Sequence, residues 1–105
     1  MRLSEAEIQE RLASLDGWRR DDEKWISRKY RFPSFVDAVL FVNGVAATAE
    51  RRNHHPMIAV DYRVVTLKLT TWKAGGLTAE DFASAYEYER IYRALVGTAA
   101  RSAED

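Results

Sequence analysis

Asn53-His54-His55-Pro56-Met57-Ile58-Ala59-Val60-Asp61-Tyr62-Arg63-Val64-Val65-Thr66-Leu67-Lys68-Leu69-Thr70-Thr71-Trp72 is the stretch that decides the architecture. After Pro56, Ile58, Val60 and Tyr62 alternate with Met57, Ala59 and Asp61. From Val64 to Trp72, Val65, Leu67 and Leu69 alternate with Thr66, Lys68, Thr70 and Trp72. A period of two belongs to strands, whose successive side chains take opposite faces. The connection between the two runs is too short for a parallel crossover, so they pair antiparallel. The apolar set of the second run faces a core and the threonine and lysine set faces water. One face of the sheet therefore needs a cover.

Upstream, Trp18 to Phe32 places two short aromatic-rich segments on either side of Asp21-Asp22-Glu23, as in a hairpin, with Ile26, Tyr30 and Phe32 on one face. Ser4-Glu5-Ala6-Glu7 is a capping box, and Ile8, Leu12 and Leu15 follow at helical spacing until Asp16-Gly17. Pro33, Ser34 and Asp37 signal a second helix, whose expected buried stripe is Phe35, Val39, Val42, Ala46 and Ala49 and whose end is Glu50-Arg51-Arg52-Asn53. Gly44 inside it costs about 1 kcal/mol relative to alanine unless close packing compensates. Downstream, Lys73-Ala74-Gly75-Gly76 reads as a loop, and Thr78-Ala79-Glu80-Asp81 opens a third helix with Ala85, Tyr88, Ile91 and Leu95 inward. Gly97 is expected to end that helix and the RSAED segment to fray. The order helix, strand, strand, helix, strand, strand, helix predicts an α+β fold. A four-stranded antiparallel sheet carries three α-helices on one face, in a single domain spanning residues 1–105.

Composition narrows the function. Nearly half the residues are apolar and 30% are charged, the balance of a folded globule. A formal net charge of zero gives no overall attraction to nucleic acid or anionic lipid. No apolar run approaches the roughly 20 residues of a membrane span, and MRLSEAEIQE lacks the apolar centre of a signal peptide, so a cytoplasmic location is expected. Cysteine is absent, which removes disulfides, iron–sulfur ligation and thiol nucleophiles.

The only two histidines are neighbours, in His54-His55-Pro56 at the junction of the second helix and the third strand. Pro56 disfavours helical backbone at His55, so the two imidazoles should point in different directions from a rigid rim. Unperturbed imidazole titrates near pH ~6.5 and can donate or accept a proton near neutrality. Chance occurrence at a polar helix end is the competing reading, but adjacency and the following proline favour acid–base chemistry. Two histidines without cysteine are too few for a zinc set, and no G-x-S-x-G, Walker or dinucleotide motif is present, so no metal or cofactor is expected. Asp81 fits a helix-capping role and a site carboxylate equally well. Trp72, on the strand face away from Leu67 and Leu69, would line a pocket or fill a subunit interface.

Glu50-x-x-x-His54-His55-Pro56, Tyr62, and the segment from Thr71 through Trp72, Gly75-Gly76-Leu77-Thr78 and Asp81 together resemble the pterin-4a-carbinolamine dehydratase family. The resemblance runs in order, without gaps, over almost the whole chain. It implies the fold just described, assembly into homo-dimers or tetramers, and removal of water from a 4a-hydroxytetrahydropterin substrate without metal or cofactor. It implies His54 and His55 as the catalytic pair, and Asn53, His54, His55, Pro56, Thr70, Thr71, Trp72, Lys73 and Asp81 as substrate-binding positions. Trp72 stands where members similar to the animal enzyme carry a third histidine. The resemblance also raises a noncatalytic alternative, because relatives of this fold serve as dimerisation or assembly modules.

Overall fold

A computed structural model of the chain describes the backbone of residues 1–104 and the side chains of residues 1–97. The Ser4 hydroxyl accepts from the Glu7 amide at 3.2 Å while the Glu7 carboxylate accepts from the Ser4 amide at 2.9 Å, completing the capping box that starts α1, Glu5–Ala13. Ile8 and Leu15 are buried, with Leu12 packed against the same cluster. The chain turns at Gly17, φ 81°, and enters β1, Arg19–Arg20, which pairs antiparallel with β2, Ile26–Arg31. Asp22 Oδ1 accepts from the Lys24 and Trp25 amides at 2.7 and 3.0 Å, fixing the hairpin loop. As expected, Ile26, Tyr30 and Phe32 are buried on one face.

Ser34 caps α2, Phe35–Arg52, by accepting from the Asp37 amide at 3.1 Å. The expected stripe is corrected here: Phe35, Val39 and Ala46 are exposed, Val42 is half-buried, and the buried side is Ala38, Phe41, Val45, Thr48 and Ala49. Apolar residues surround this helix, so sequence alone left its rotational phase open, and the aromatic cluster of Phe41 with Tyr30, Phe32 and Tyr92 set it. At Gly44 an added Cβ would lie 3.1 Å from Ile91 Cγ2, so it is a side chain of the third helix that packs into the space the glycine leaves.

β3, Met57–Asp61, and β4, Val64–Leu69, form the second antiparallel pair, and the sheet order is β1-β2-β4-β3. Val65, Leu67 and Leu69 are buried on the covered face. Two expectations fail at the strand ends. Tyr62 belongs to the turn, at φ 52°, and not to β3. β4 stops at Leu69, and Trp72 begins a single 3₁₀ turn, Trp72–Ala74, because Thr71 and Gly76 bridge and pull the chain round. All five β3 side chains are exposed, as befits an edge strand.

α3, Ala79–Glu104, buries Ala85 and Tyr88 and packs Ile91 and Leu95 against the core. It passes through Gly97, correcting the expected end: one interior glycine costs about 1 kcal/mol and does not terminate a helix lacking proline. The expected fraying of RSAED is corrected likewise, because α3 continues to Glu104; Asp105 lies outside the described residues. At the centre of the molecule the buried Glu89 carboxylate accepts from Tyr30 Oη at 2.7 Å and Trp18 Nε1 at 3.1 Å and pairs with Arg28. Burial, and then the Glu89 carboxylate, push the Tyr30 hydroxyl far above its ordinary range.

Candidate functional site

The site grows from the way α2 ends. Asn53 adopts the left-handed conformation, φ 51° and ψ 44°, which asparagine tolerates better than most residues. Its amide donates to the Glu50 carbonyl at 3.2 Å, and the His54 amide donates to the Ala49 carbonyl at 3.1 Å. That reversal releases His54 and His55 from the helix just before β3 begins.

The imidazoles then separate. His54 Nε2 lies 2.7 Å from Asp81 Oδ1, with the histidine side chain 13% exposed and the aspartate fully buried. His55 Nε2 lies 2.5 Å from Glu50 Oε2, and that histidine is 55% exposed. A carboxylate accepting at Nε2 selects the Nε2–H tautomer of a neutral imidazole and leaves Nδ1 with its lone pair available. Each ring therefore has one nitrogen held by a carboxylate and one free to take part in proton transfer.

Asp81 serves both roles that the sequence offered. Its Oδ2 accepts the Thr78 amide at 2.9 Å, a helix-start contact, and the Thr71 hydroxyl at 2.7 Å. Thr71 Oγ1 also lies 2.8 Å from Thr78 Oγ1. Because the single Thr71 proton goes to Asp81, Thr78 must be the donor between the two hydroxyls. The Glu80 amide donates to Thr78 Oγ1 at 3.3 Å, which completes a one-directional chain ending at the Asp81 carboxylate, to which His54 donates from the other side. Burial with every contact satisfied fixes the carboxylate rigidly.

Two arginines join the elements carrying the pair. Arg52, the last residue of α2, donates to Glu80 and Glu87 on α3, each at 2.9 Å, and Arg51 reaches Glu87 at 2.8 Å. Burial alone would raise the Glu87 carboxyl, but Arg52, with Arg51 behind it, holds it below its ordinary value. Glu87 and then Glu80 raise Arg52 in return.

Of the other positions named from sequence, Thr70 is buried and donates to the Lys24 carbonyl at 2.5 Å. Trp72 is 80% exposed, its ring meeting Trp25 at 5.5 Å and 83°. Lys73 and Asn53 are exposed and Pro56 is half-buried. The structure thus gathers His54, Asp81 and Thr71 by direct contact, and Thr70 and Trp72 flank Thr71 in the chain. Sequence reasoning gave no site role to Thr78, to Glu50 as the partner of His55, or to Trp25. The capping pattern at Thr78 was visible, and the helix reversal at Asn53 is what brings His55 back over Glu50.

A family model described as pterin 4 alpha carbinolamine dehydratase matches residues 1–91. The chain belongs to the pterin-4a-carbinolamine dehydratase family. A protein of Roseiflexus sp. (strain RS-1), provisionally named as such a dehydratase, is 49% identical over 90 residues, covering 86% of this chain and 96% of its own. A similarly named protein of Picosynechococcus sp. is 41% identical over 90 residues, covering 86% of this chain and 97% of its own. The crystal structure of a transcriptional coactivator/pterin dehydratase from Brucella melitensis superposes with a TM-score of 0.84 at 34% identity, covering 88% of this chain and 99% of that one. A pterin dehydratase-like RuBisCO assembly factor of the alpha-carboxysome shares the fold, with a TM-score of 0.62 at 20% identity, covering 72% of this chain and 89% of that one. Within the pterin-4a-carbinolamine dehydratase family, then, this chain presents its paired histidines on two carboxylates.

Proposed function

We propose that this protein is a 4a-hydroxytetrahydrobiopterin dehydratase, a hydro-lyase that converts a 4a-hydroxytetrahydropterin to the quinonoid dihydropterin and water. The supporting observation is the pair of adjacent imidazoles, each tied through Nε2 to its own carboxylate. Dehydration breaks the C4a–OH bond, forms the C4a–N5 double bond, and needs one proton delivered to the departing hydroxyl and one removed from N5. Two imidazoles supply both transfers: the proton given to the hydroxyl is matched by the one taken from N5, so the pair keeps its total proton count and the proton ends on the other ring, from which exchange with solvent resets the pair. His54 and His55 are the proposed catalytic residues. Asn53, Pro56, Thr70, Thr71, Trp72, Lys73 and Asp81 are the proposed substrate-binding positions, with Trp72 offering its ring face to the flat pterin. The acting form is proposed to be a cytoplasmic homo-oligomer.

Purified protein should accelerate 4a-carbinolamine dehydration in the presence of a chelator, and His54→Ala and His55→Ala should each lower kcat by about 10²–10⁴-fold. Turnover lost to the chelator and restored by zinc would contradict the metal-free mechanism. Full turnover in both histidine variants would overturn the assignment of the catalytic pair, and absence of turnover in the unaltered protein would favour a noncatalytic assembly module instead.

A further inference from the structure

Trp25 lies outside every position assigned to the site, yet it holds the most exposed tryptophan of the described chain. The two rings meet nearly at right angles, 83° between planes and 5.5 Å between centroids. An edge-to-face contact covers at most one face of Trp72, which agrees with its being 80% exposed. Trp25 is itself half-buried and its backbone is pinned. Its amide donates to Asp22 Oδ1 at 3.0 Å, its carbonyl accepts the Asp21 amide at 3.0 Å, and the preceding carbonyl of Lys24 accepts the buried Thr70 hydroxyl at 2.5 Å.

Thr70, Thr71 and Trp72 therefore act as one unit at the end of β4. Thr70 anchors the hairpin loop that carries Trp25, Thr71 anchors Asp81 and through it His54, and Trp72 rests on Trp25. Consecutive Cα atoms are ~3.8 Å apart, so the indole is attached one residue from the group that orients the acid–base histidine. A flexible, solvent-facing indole loses rotamer freedom when a ligand stacks on it, and a neighbour that holds it in place removes that loss before binding.

We propose that Trp25 is a positioning residue for substrate: it fixes the Trp72 indole so that its free face receives a planar fused heterocycle. This inference rests on the dehydratase reading for the identity of that heterocycle as a pterin. In place of a third imidazole, the site then has a braced aromatic wall.

The test compares Trp25→Ala, Trp25→Leu and Trp25→Phe with the unaltered protein, all at full length. KM and kcat are measured for dehydration, and Kd is measured by equilibrium titration with 7,8-dihydropterin, a planar pterin that does not react. Loss of the exciton-coupled circular dichroism of the tryptophan pair reports separation of the rings, and far-ultraviolet dichroism checks folding. Trp25→Ala and Trp25→Leu should raise KM and Kd by about 2- to 10-fold, the range an aromatic pair contributes, with kcat within about 2-fold. Trp25→Phe should keep KM and Kd near those of the unaltered protein. Unchanged KM and Kd in a folded Trp25→Leu protein that has lost the exciton signal would overturn the proposal while leaving the dehydratase reading intact. A changed mass by light scattering with unchanged Kd would also overturn it, assigning the ring pair to a subunit contact. Absence of both turnover and dihydropterin binding in the unaltered protein would instead remove the dehydratase reading on which it rests.

Discussion

Asp81 Oδ1 meets His54 Nε2 at 2.7 Å across 27 positions of sequence, joining the first turn of α3 to the residue just past the cap of α2. The aspartate is fully buried and its second oxygen is occupied by the Thr78 amide and the Thr71 hydroxyl. His54 consequently has one fixed orientation and one fixed tautomer.

Asp81→Asn places an amide NH₂ where one of these donors points, so either His54 loses its acceptor or Thr71 does. We expect kcat to fall by about 10²-fold or more with a smaller change in KM, because an orienting group acts on proton transfer more than on binding. Thr71→Val should give a milder loss in the same sense. Steady-state kinetics of both variants check this, and a change confined to KM would contradict it.

Trp72 should behave in the opposite way. Trp72→Ala removes stacking area and should chiefly raise KM, whereas Trp72→His should preserve or increase turnover by supplying the third imidazole of other family members. A Trp72→Ala protein with unchanged KM would exclude the ring from substrate binding.

Acid should weaken the joint between α2 and α3. Glu87 has its folded-state pKa held below that of an ordinary glutamate by Arg52 and Arg51, so its contribution to stability is present above the unfolded-state pKa and is lost as pH falls through the folded-state pKa. In the window between the two, the unfolded chain binds more protons, and stability rises with pH. Urea midpoints measured from neutral pH down through this window should fall for the unaltered protein. They should fall less steeply for Glu87→Gln, which starts lower and lacks the titrating group.

A homo-oligomer is expected from the apolar side chains left uncovered. Val36, Val39 and Leu40 on α2 and Met57, Ile58 and Val60 on β3 are exposed, and β3 is a sheet edge. An unblocked apolar edge invites pairing with another chain. Light scattering at micromolar concentration should give at least a dimer, and Val60→Lys should lower the mass. A monomer in the unaltered protein would contradict the expectation.

The sheet was legible in the sequence because Val65, Leu67 and Leu69 alternate with polar residues, and alternation has one structural meaning over that length. The phase of α2 was not, because Phe35, Val39 and Phe41 compete for the core and only the aromatic neighbours from β2 and α3 decide among them. The end of β4 was also hidden. Thr70 and Trp72 continue the alternation, and the turn is imposed by Thr71 pairing with Gly76 beyond it. For the candidate site, the histidines stood out by type and adjacency, while Asp81 was legible equally as a helix-start residue and as a site carboxylate. Trp25 did not, since no local pattern reveals that a hairpin loop will touch a residue 47 positions later (72 − 25).

The Glu89 cluster has a consequence for how the chain is made. Tyr30 and Trp18 reach their common acceptor across 59 and 71 positions, and the Leu3 amide waits for the Leu77 carbonyl. Emerging N-terminus first, the early hairpin can collapse but cannot satisfy its inward-pointing polar groups until α3 has left the ribosome. Nascent chains stopped before residue 89 should therefore stay protease-sensitive, and the molecule should acquire its native form in one late step.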